Sequence, residues 1–569
     1  MSQQEKILLA LLPYWSPLIP PMGLSCLKSY LCGHGYEVVI NDANTEKDVE
    51  KIYNKYLDAL KSCVPEDKQA NFYNLGNYVL QDHMMAYLNY QDEESLVRLV
   101  KLLIVKTFFI EVEDKLVVKL NQYTTDFYAW IENYFMALLE KEKPTVLGLS
   151  VFSGSLPASV FIFKLTRQRY PHIKTVMGGG VFAEPLAPGA PDLEYFLEKT
   201  KSFIDTIIIG EGEQLMLKLL RDQLPPSQRV YTLKDIGNEV MDLAQADIPD
   251  FSGLNLSGYP YLAAYTSRSC PFQCGFCSET LQWGRYRRKS AEQVVRELNR
   301  LSKIYNCQLF QMGDSLLNPI VTKLAQACID ENCPIYWDGH LRAGRHVCDP
   351  ENAALWRRGG FYRARLGTES GSPRVLELMG KKITAEQIRG SVSSLATTGL
   401  KVTTYWVAGY PGETEEDFQQ TLDLIEELKD DIYEADCNPF TFFPNAQVNS
   451  GKWADNHTAS LLFPKEAQEI IWVQTWIVNC EPNREIIYKR LNRFTQHCAR
   501  LGIPNPYSLR DIYNADERWK KLHPNAVPPL LAFHRQREDP GIEIVDEAKK
   551  GIPIVKAQNV FQNKEDWGF

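Results

Sequence analysis

The sequence predicts an α/β protein with a doubly wound, Rossmann-like sheet first, then a partial, TIM-type parallel barrel of six strand–helix units, then a mainly helical C-terminal region. Three observations carry this. Short apolar runs of strand character alternate with helical patterns, and such alternation implies parallel sheets covered by helices. Glycine-rich turns close several of the runs. The alternation fades near residue 446, where helical and aromatic patterns take over.

A chain of 569 residues is too long for one core. Its 44% hydrophobic and 23% charged content is that of a soluble globular protein. Lys plus Arg is 62 against 71 for Asp plus Glu, a net charge of −9. That balance argues against a nucleic-acid surface spread over the whole chain, though not against a local basic groove. "MSQQEKILLALLPYW" lacks the basic start and small-residue cleavage site of a signal peptide. "LVRLVKLLIVKTFFIEV" is broken by Arg98, Lys101 and Lys106, so no run reaches the roughly 20 apolar residues a membrane span needs. The expected location is the cytoplasm, with no membrane partner.

The elements follow in order. In residues 1–225, "KILLALL" reads as a buried strand, "PPMGLSCLKSYLCGHG" as a proline-opened helix closed by glycine, and "YEVVINDAN" as a second strand. A helical insertion is expected over about 45–143. The alternation resumes with "PTVLGLSVF", "LPASVFIFKLTRQRYP", "KTVMGGG" and "IDTIIIGEGEQLMLKLLRDQL", and 226–260 reads as a linker. Residues 261–445 hold the barrel strands "LAAYTSRS", "CQLFQMGD", "PIYWDGHLR", "YRARLGTES", "KVTTYWVAG" and "EADCNPFTFF". Between them, Ser290 is a plausible N-cap for a helix with Val294, Leu298 and Leu301 on one face. Thr414 and Asp417 have capping-box spacing. Residues 446–569 would cap the barrel and shape substrate choice; there "EIIWVQTWIVNC" reads as helix, with Ile470, Ile471, Trp476 and Ile477 on a core face.

Thirteen cysteines in such a chain do not suggest a disulfide framework. Ten are scattered and read as small buried hydrophobes. Cys270, Cys274 and Cys277, spaced C-x3-C-x2-C just after the first barrel strand, are different. Three thiolates on one tight loop can bind three corners of a cubane iron–sulfur cluster and leave the fourth iron open. A zinc site usually wants a fourth ligand, and no second C-x2-C pair is in the sequence. Phe272, Gln273, Gly275 and Phe276 fit such a loop, the glycine relieving crowding and the aromatics excluding water.

"CPFQCGFC" followed by six strand–helix units resembles the radical S-adenosylmethionine (SAM) superfamily. The resemblance implies a [4Fe-4S] cluster on the three cysteines, with SAM chelating the open iron and cleaved to a 5′-deoxyadenosyl radical. It further implies SAM contacts at Phe276, Asp314 in "QMGDS", Arg342 in "WDGHLRAG", Glu369 and Ser370 in "GTESGS", and Gly409, Pro411 and Gly412 in "VAGYPGET". The first segment, over about 5–225, is similar to the cobalamin-binding domain fused to many such enzymes. The stretches that carry this are "PYWSPLIPPMGLSCLKSYLCGHGYEVVINDAN", "VLGLSVFSGSLPASVFIFKL", "VMGGGVFAEP" and "DTIIIGEGEQ". On that likeness Tyr14, Trp15, Ser150, Ser153, Gly154, Gly178, Gly179, Gly180, Gly210 and Glu211 would line the cobalamin site, with Gly212 in the last turn. Glu211 and Glu213 would order that turn rather than touch cobalt. The Asp-x-His-x-x-Gly pattern of histidine-ligated cobalamin proteins is missing, and His34 in "CGHGYE" reads as a turn residue. Water, a residue of the insertion, or nothing remains for the lower face of the cobalt.

Together these resemblances imply a C-methyltransferase moving a methyl group from SAM through methylcobalamin to an unactivated carbon of a peptide or small molecule, free or carrier-bound. They also imply an external electron donor such as flavodoxin or ferredoxin. Three rivals stand beside this: a cyclase or rearrangement enzyme without methyl transfer, polar methylation of an aromatic carbon, and a non-catalytic iron–sulfur and cobalamin sensor.

Overall fold

The computed structural model describes residues 5–13, 18–445, 457–505 and 509–551. The chain folds as two compact units. The first takes the described residues up to Tyr259, with Leu281–Gly284 and Phe442–Asn479; the second takes Pro260–Thr280, Arg285–Thr441 and the described residues from Cys480 onward.

In the first unit the apolar runs become strands buried on both faces, the usual condition of a parallel sheet. β1 (Lys6–Leu11), β2 (Glu37–Asp42), β3 (Val146–Ser150), β4 (Lys174–Gly178), β5 (Thr206–Ile209) and β6 (Val230–Thr232) line up in the order β2-β1-β3-β4-β5-β6. Every pairing is parallel. The order reverses between β1 and β3, and open sheets of this kind bind ligands beyond the strand carboxyl ends at such a switch point. Helix α1 (Met22–Gly33) starts after Pro21, and the chain turns back at Gly35 with φ +90°. Between β2 and β3 come four helices, α2 (Lys47–Lys61), α3 (Phe72–Asn89), α4 (Glu93–Phe108) and α5 (Asp114–Glu142). They share a core that includes Tyr56, Val79, Leu103 and Phe135.

Two stretches of this unit depart from their reading. Residues 226–260 are not bare connector, because Val230–Thr232 adds β6 to the sheet. "EIIWVQTWIVNC" is helical only over Gln468–Ile471; Trp472 takes φ +64°, and Trp476–Val478 pairs antiparallel with Ala459–Leu461. Val473, Thr475, Ile477 and Val478 are β-branched and favour extended backbone over another helical turn.

The second unit is a parallel sheet of β7 (Leu262–Ala264), β10 (Leu309–Met312), β11 (Tyr336–Arg342), β12 (Phe361–Glu369), β13 (Lys401–Ala408) and β14 (Glu434–Pro439), in strictly sequential order. A small antiparallel pair, β8 (Ser267–Arg268) with β9 (Arg287–Arg288), brackets the cysteine loop. The sequential parallel order is that of a partial barrel, whose site lies at the carboxyl ends of its strands. The expected caps form: Ser290 Oγ accepts from Gln293 N at 3.2 Å, and Thr414 N donates to Asp417 Oδ2 at 2.8 Å. The helix Arg484–Arg500 packs beside β13, with Phe494 and Trp406 rings 6.3 Å apart.

Candidate functional site

The cysteine loop begins where β7 ends, and a carboxylate holds its root. Asp314, just past β10, accepts from Thr266 N at 2.8 Å, Thr266 Oγ1 at 2.6 Å and Ser267 Oγ at 2.5 Å. Both its oxygens are committed, so Asp314 serves here as a clamp on the chain entering the loop. Cys270 and Cys277 are half-buried, Cys274 is buried, and all three are free thiols. The loop is tight: Cys277 N donates to Cys274 O at 3.1 Å and Gly275 N to Met379 O at 2.8 Å. A side chain at Gly275 would begin 3.1 Å from the Tyr410 hydroxyl. Burial pushes the Cys270 thiol up, and the Cys277 thiol up to about 12. Thiols so placed ionise only against a compensating cation. Among the described residues no three His, Cys, Asp or Glu side chains converge on a single ion position. A cubane spreads its sulfur ligands over separate iron corners, and the donor set of three thiols on one loop fits that group.

Arg342, the last residue of β11, reaches this loop. Its Nη1 donates to Cys274 Sγ at 3.6 Å, and its guanidinium carbon lies 4.0 Å from the centre of the Phe272 ring. Its Nη2 is buried without a partner among the described residues. A buried guanidinium with a spare donor beside the cysteine loop suits a carboxylate or another acceptor brought by a ligand. In register with Arg342 lies Gly367. There the missing side chain makes room for an ion pair: Lys381 Nζ is 2.6 Å from Glu369 Oε1, and a Cβ at Gly367 would begin 2.7 Å from that oxygen. Glu369 itself sits at φ +61° across a register shift between β12 and β13. That conformation is costly for a residue other than glycine and recurs at functional sites. Phe276 packs against Val375, Met379 and Tyr410, with Lys381 Nζ 5.6 Å above its ring.

The remaining expected residues are structural in their visible contacts. Ser370 is fully buried, its hydroxyl 3.3 Å from Thr421 Oγ1 and accepting from Ser372 N at 3.1 Å. Gly409 and Gly412 have φ +80° and +83° on either side of Tyr410 and Pro411. Glu413 Oε2 accepts from Gly409 N at 2.8 Å and pairs with Arg490 at 2.9 Å, tying the turn down. Sequence reasoning missed Lys381, Tyr410, Glu413 and Arg490. Lys381 follows its partner Glu369 by twelve residues across a turn, a spacing with no motif.

In the first unit the expected residues gather at the carboxyl ends of β3, β4 and β5, beside the switch point. Ser150 ends β3, Ser153 and Gly154 lie in the turn after it, and Ser153 Oγ donates to Glu184 Oε2 at 3.1 Å. Val151 N donates to Gly178 O at 2.7 Å, and Val181 N to Val151 O at 3.0 Å. Gly179, at φ +113°, permits this, since a Cβ there would begin 2.5 Å from Val151 N and O. A Cβ at Gly180 would begin 2.9 Å from the Phe152 ring, which is 41% exposed at the crest. Gly210 turns the chain at φ +98°, and Glu211 is buried, accepting from Met241 N at 3.0 Å. Gly212 abuts Leu27, and Glu213 is buried at the start of the next helix. Among the described residues this edge is largely backbone, with the exposed Phe152 ring and the Ser153–Glu184 pair beside it, which fits a large flat ligand approached by main chain. Tyr14 and Trp15 lie outside the described residues. His34 is a helix-end residue, its Nδ1 2.8 Å from Tyr30 O.

Residues 265–425 match the model of the radical SAM superfamily. An uncharacterized methyltransferase of Pyrococcus horikoshii is 27% identical over 333 residues, covering 55% of this chain and 70% of that protein. The anaerobic magnesium-protoporphyrin IX monomethyl ester cyclase of Rubrivivax gelatinosus is 25% identical over 318 residues, 51% of this chain and 55% of the cyclase. Among solved structures, the radical SAM methyltransferase TsrM of Kitasatospora setae, with cobalamin and a [4Fe-4S] cluster bound, shares the fold at TM-score 0.59 and 14% identity, over 95% of this chain and all of that one. No described helix is long and apolar enough to cross a membrane.

Proposed function

We propose, from the premise that the chain carries a radical SAM domain, that it is a cobalamin-dependent radical SAM enzyme and most nearly a C-methyltransferase. The observation that carries the reading is the meeting of Cys270, Cys274 and Cys277 with Arg342 and the Glu369–Lys381 pair at one strand edge. On this reading the three thiolates hold a [4Fe-4S] cluster. Arg342 takes the SAM carboxylate with its spare donor, and Glu369, aligned by Lys381, takes the amino group or ribose. Phe276 and Tyr410 keep water from the reacting end, and the Gly409–Gly412 turn borders the adenine. The main-chain edge at Ser150–Gly154, Gly178–Gly180 and Gly210 holds cobalamin. Bound there, cluster, SAM and cobalamin supply radical and methyl-transfer chemistry, and the protein orients them. The likeness to a methyltransferase of Pyrococcus horikoshii, and to TsrM with its bound cobalamin and [4Fe-4S] cluster, supports methyl transfer. The cyclase name of another keeps a rearrangement without methyl transfer as the second reading.

The test is anaerobic reconstitution with iron, sulfide and cobalamin, a flavodoxin-type donor and a substrate panel. S-adenosylhomocysteine and 5′-deoxyadenosine together indicate radical methylation. The first alone indicates polar methylation and the second alone rearrangement. Material that shows no iron–sulfur absorption dependent on the three cysteines sinks the whole reading.

A further inference from the structure

We propose that the inner face of the second unit's sheet carries a substrate-recognition layer of Gln311, His340, Arg365 and Tyr405, built for a neutral group of the amide kind that offers one acceptor and one N–H or O–H donor. The proposal rests on the reading that the strand edge above holds SAM, and it names what the substrate must present there.

Residues two apart on a strand share a face. His340 is therefore on the same face of β11 as Arg342, the residue that reaches Cys274. In register, His340 pairs with Arg365 and Gly367 with Tyr405. Gln311, His340 and Tyr405 each keep partial access to solvent although they stand on β10, β11 and β13, strands flanked on both sides by others. Side chains on inner strands stay accessible only where space lies beside them.

The hydrogen bonds decide what that space can accept. Arg365 donates from Nη1 to the Tyr405 hydroxyl oxygen at 3.2 Å and from Nη2 to Gln311 Oε1 at 2.9 Å. Tyr405 is left with its own O–H to donate, and Gln311 with its NH2. His340 Nδ1 lies 3.1 Å from the Asp314 carbonyl oxygen, which can only accept. The ring hydrogen is therefore on Nδ1, and Nε2 is an acceptor. Arg365 Nε is buried without a partner among the described residues, a further donor. Burial also holds the His340 imidazole down at about 4, so it is neutral at physiological pH.

Beneath the layer, Asp338 Oδ2 bonds Arg363 at 3.0 Å and Arg365 at 3.1 Å, and Arg363 reaches Glu434 at 3.4 Å. Two cations and two anions cancel. A carboxylate would bring a charge this floor does not balance and no hydrogen for His340 Nε2. An amide brings a carbonyl for the donors and an N–H for the histidine, with no charge.

The experiment uses reconstituted full-length protein saturated with SAM, dialysed to equilibrium against an equimolar mixture of N-acetyl amino-acid amides and the matching N-acetyl amino acids. Retained compounds are quantified by mass spectrometry. Amides should be retained over acids. Retention should fall about fivefold in Tyr405→Phe, which removes one hydrogen-bonding oxygen and keeps the ring, and further in His340→Phe. Iron content and Tm report whether each variant folds. Retention of acids as strong as that of amides, no loss in Tyr405→Phe, or no retention at all would each overturn the layer. Wild-type conversion of SAM to 5′-deoxyadenosine is assayed separately: its absence defeats the SAM reading, whereas its presence without amide retention defeats the layer alone.

Discussion

The two sheets present their carboxyl edges in opposite ways. In the first unit the edge is made by backbone drawn together. Gly179 lets the turn after β4 lie against Val151, and the buried Glu211 carboxylate ties its turn to the Met241 backbone N–H. In the second unit the edge is made by charged side chains locked in place: Glu369 paired with Lys381, Glu413 with Arg490, and Asp314 clamped on the neutral donors of Thr266 and Ser267. A flat, main-chain edge suits binding by shape and many weak contacts. Paired charges in a low-dielectric edge suit fixed placement of a polar, reactive ligand, because the cost of reorganising them is met in folding. On the proposed reading, one chain separates holding a cofactor from aiming one.

The largest break in the second edge is removal of a thiol. Cys270→Ala, Cys274→Ala or Cys277→Ala should each abolish the iron–sulfur absorption of reconstituted protein and SAM cleavage with it. Cys307→Ala, a buried cysteine far along the chain, should leave both in place. Visible spectra and 5′-deoxyadenosine yields check this, and equal loss in Cys307→Ala would contradict it.

Next comes the ion pair. Lys381→Met leaves Glu369 buried beside an apolar group, which costs about 3–5 kcal/mol, whereas Glu369→Met with Lys381→Met together costs far less. A double-mutant cycle on urea unfolding reads the difference. Additive losses would mean that the pair does not act as one. The first edge should instead be sensitive to volume. Gly179→Ala forces a side chain into a conformation open only to glycine and into the Val151 backbone, a loss of about 2–4 kcal/mol. Corrinoid retention should fall while the iron–sulfur spectrum of the same variant persists. Loss of both signals together would erase the distinction between the two edges.

These edges differ in how far they could be read from sequence. The cysteine loop was legible because its chemistry requires three thiols close in sequence. The glycines were legible because turns that bring backbones together admit little else. Parallel sheets followed from the alternation, and the Ser290 and Thr414 caps from local hydrogen-bonding rules. Asp314 was noticed as a strand-end carboxylate, but its commitment to Thr266 and Ser267 depends on β10 lying beside β7, a non-local fact. Lys381 and Arg490 were invisible for the same reason: a buried pair formed across a turn or between a turn and a distant helix leaves no periodicity. His340 sat unremarked inside "WDGHLR", because only the register of β11 on β12 reveals its neighbours. The segment after Ile471 misled because Ile470, Ile471 and Trp476 mimic a helical face while Trp472 turns the chain away.

The smallest effect sharpens the comparison through pH. Asp42, buried in the first unit, has its carboxyl pushed up to about 7 by desolvation. His346, buried in the second, is held down at about 4 by the same cause. For Asp42 the folded value lies above the unfolded one of 3.8, so the folded state binds the proton more tightly. Its contribution to stability is full below 3.8 and is lost as pH rises through 7. For His346 the folded value lies below 6.5, so its contribution is full above 6.5 and is lost as pH falls through 4. Between pH 7 and pH 5 each shift is worth on the order of 1–2 kcal/mol, with opposite sign. The Tm of wild type minus that of Asp42→Asn should therefore rise on acidification over this range, and the Tm of wild type minus that of His346→Gln should fall. Slopes of the same sign would show that burial does not set these two groups as their surroundings require.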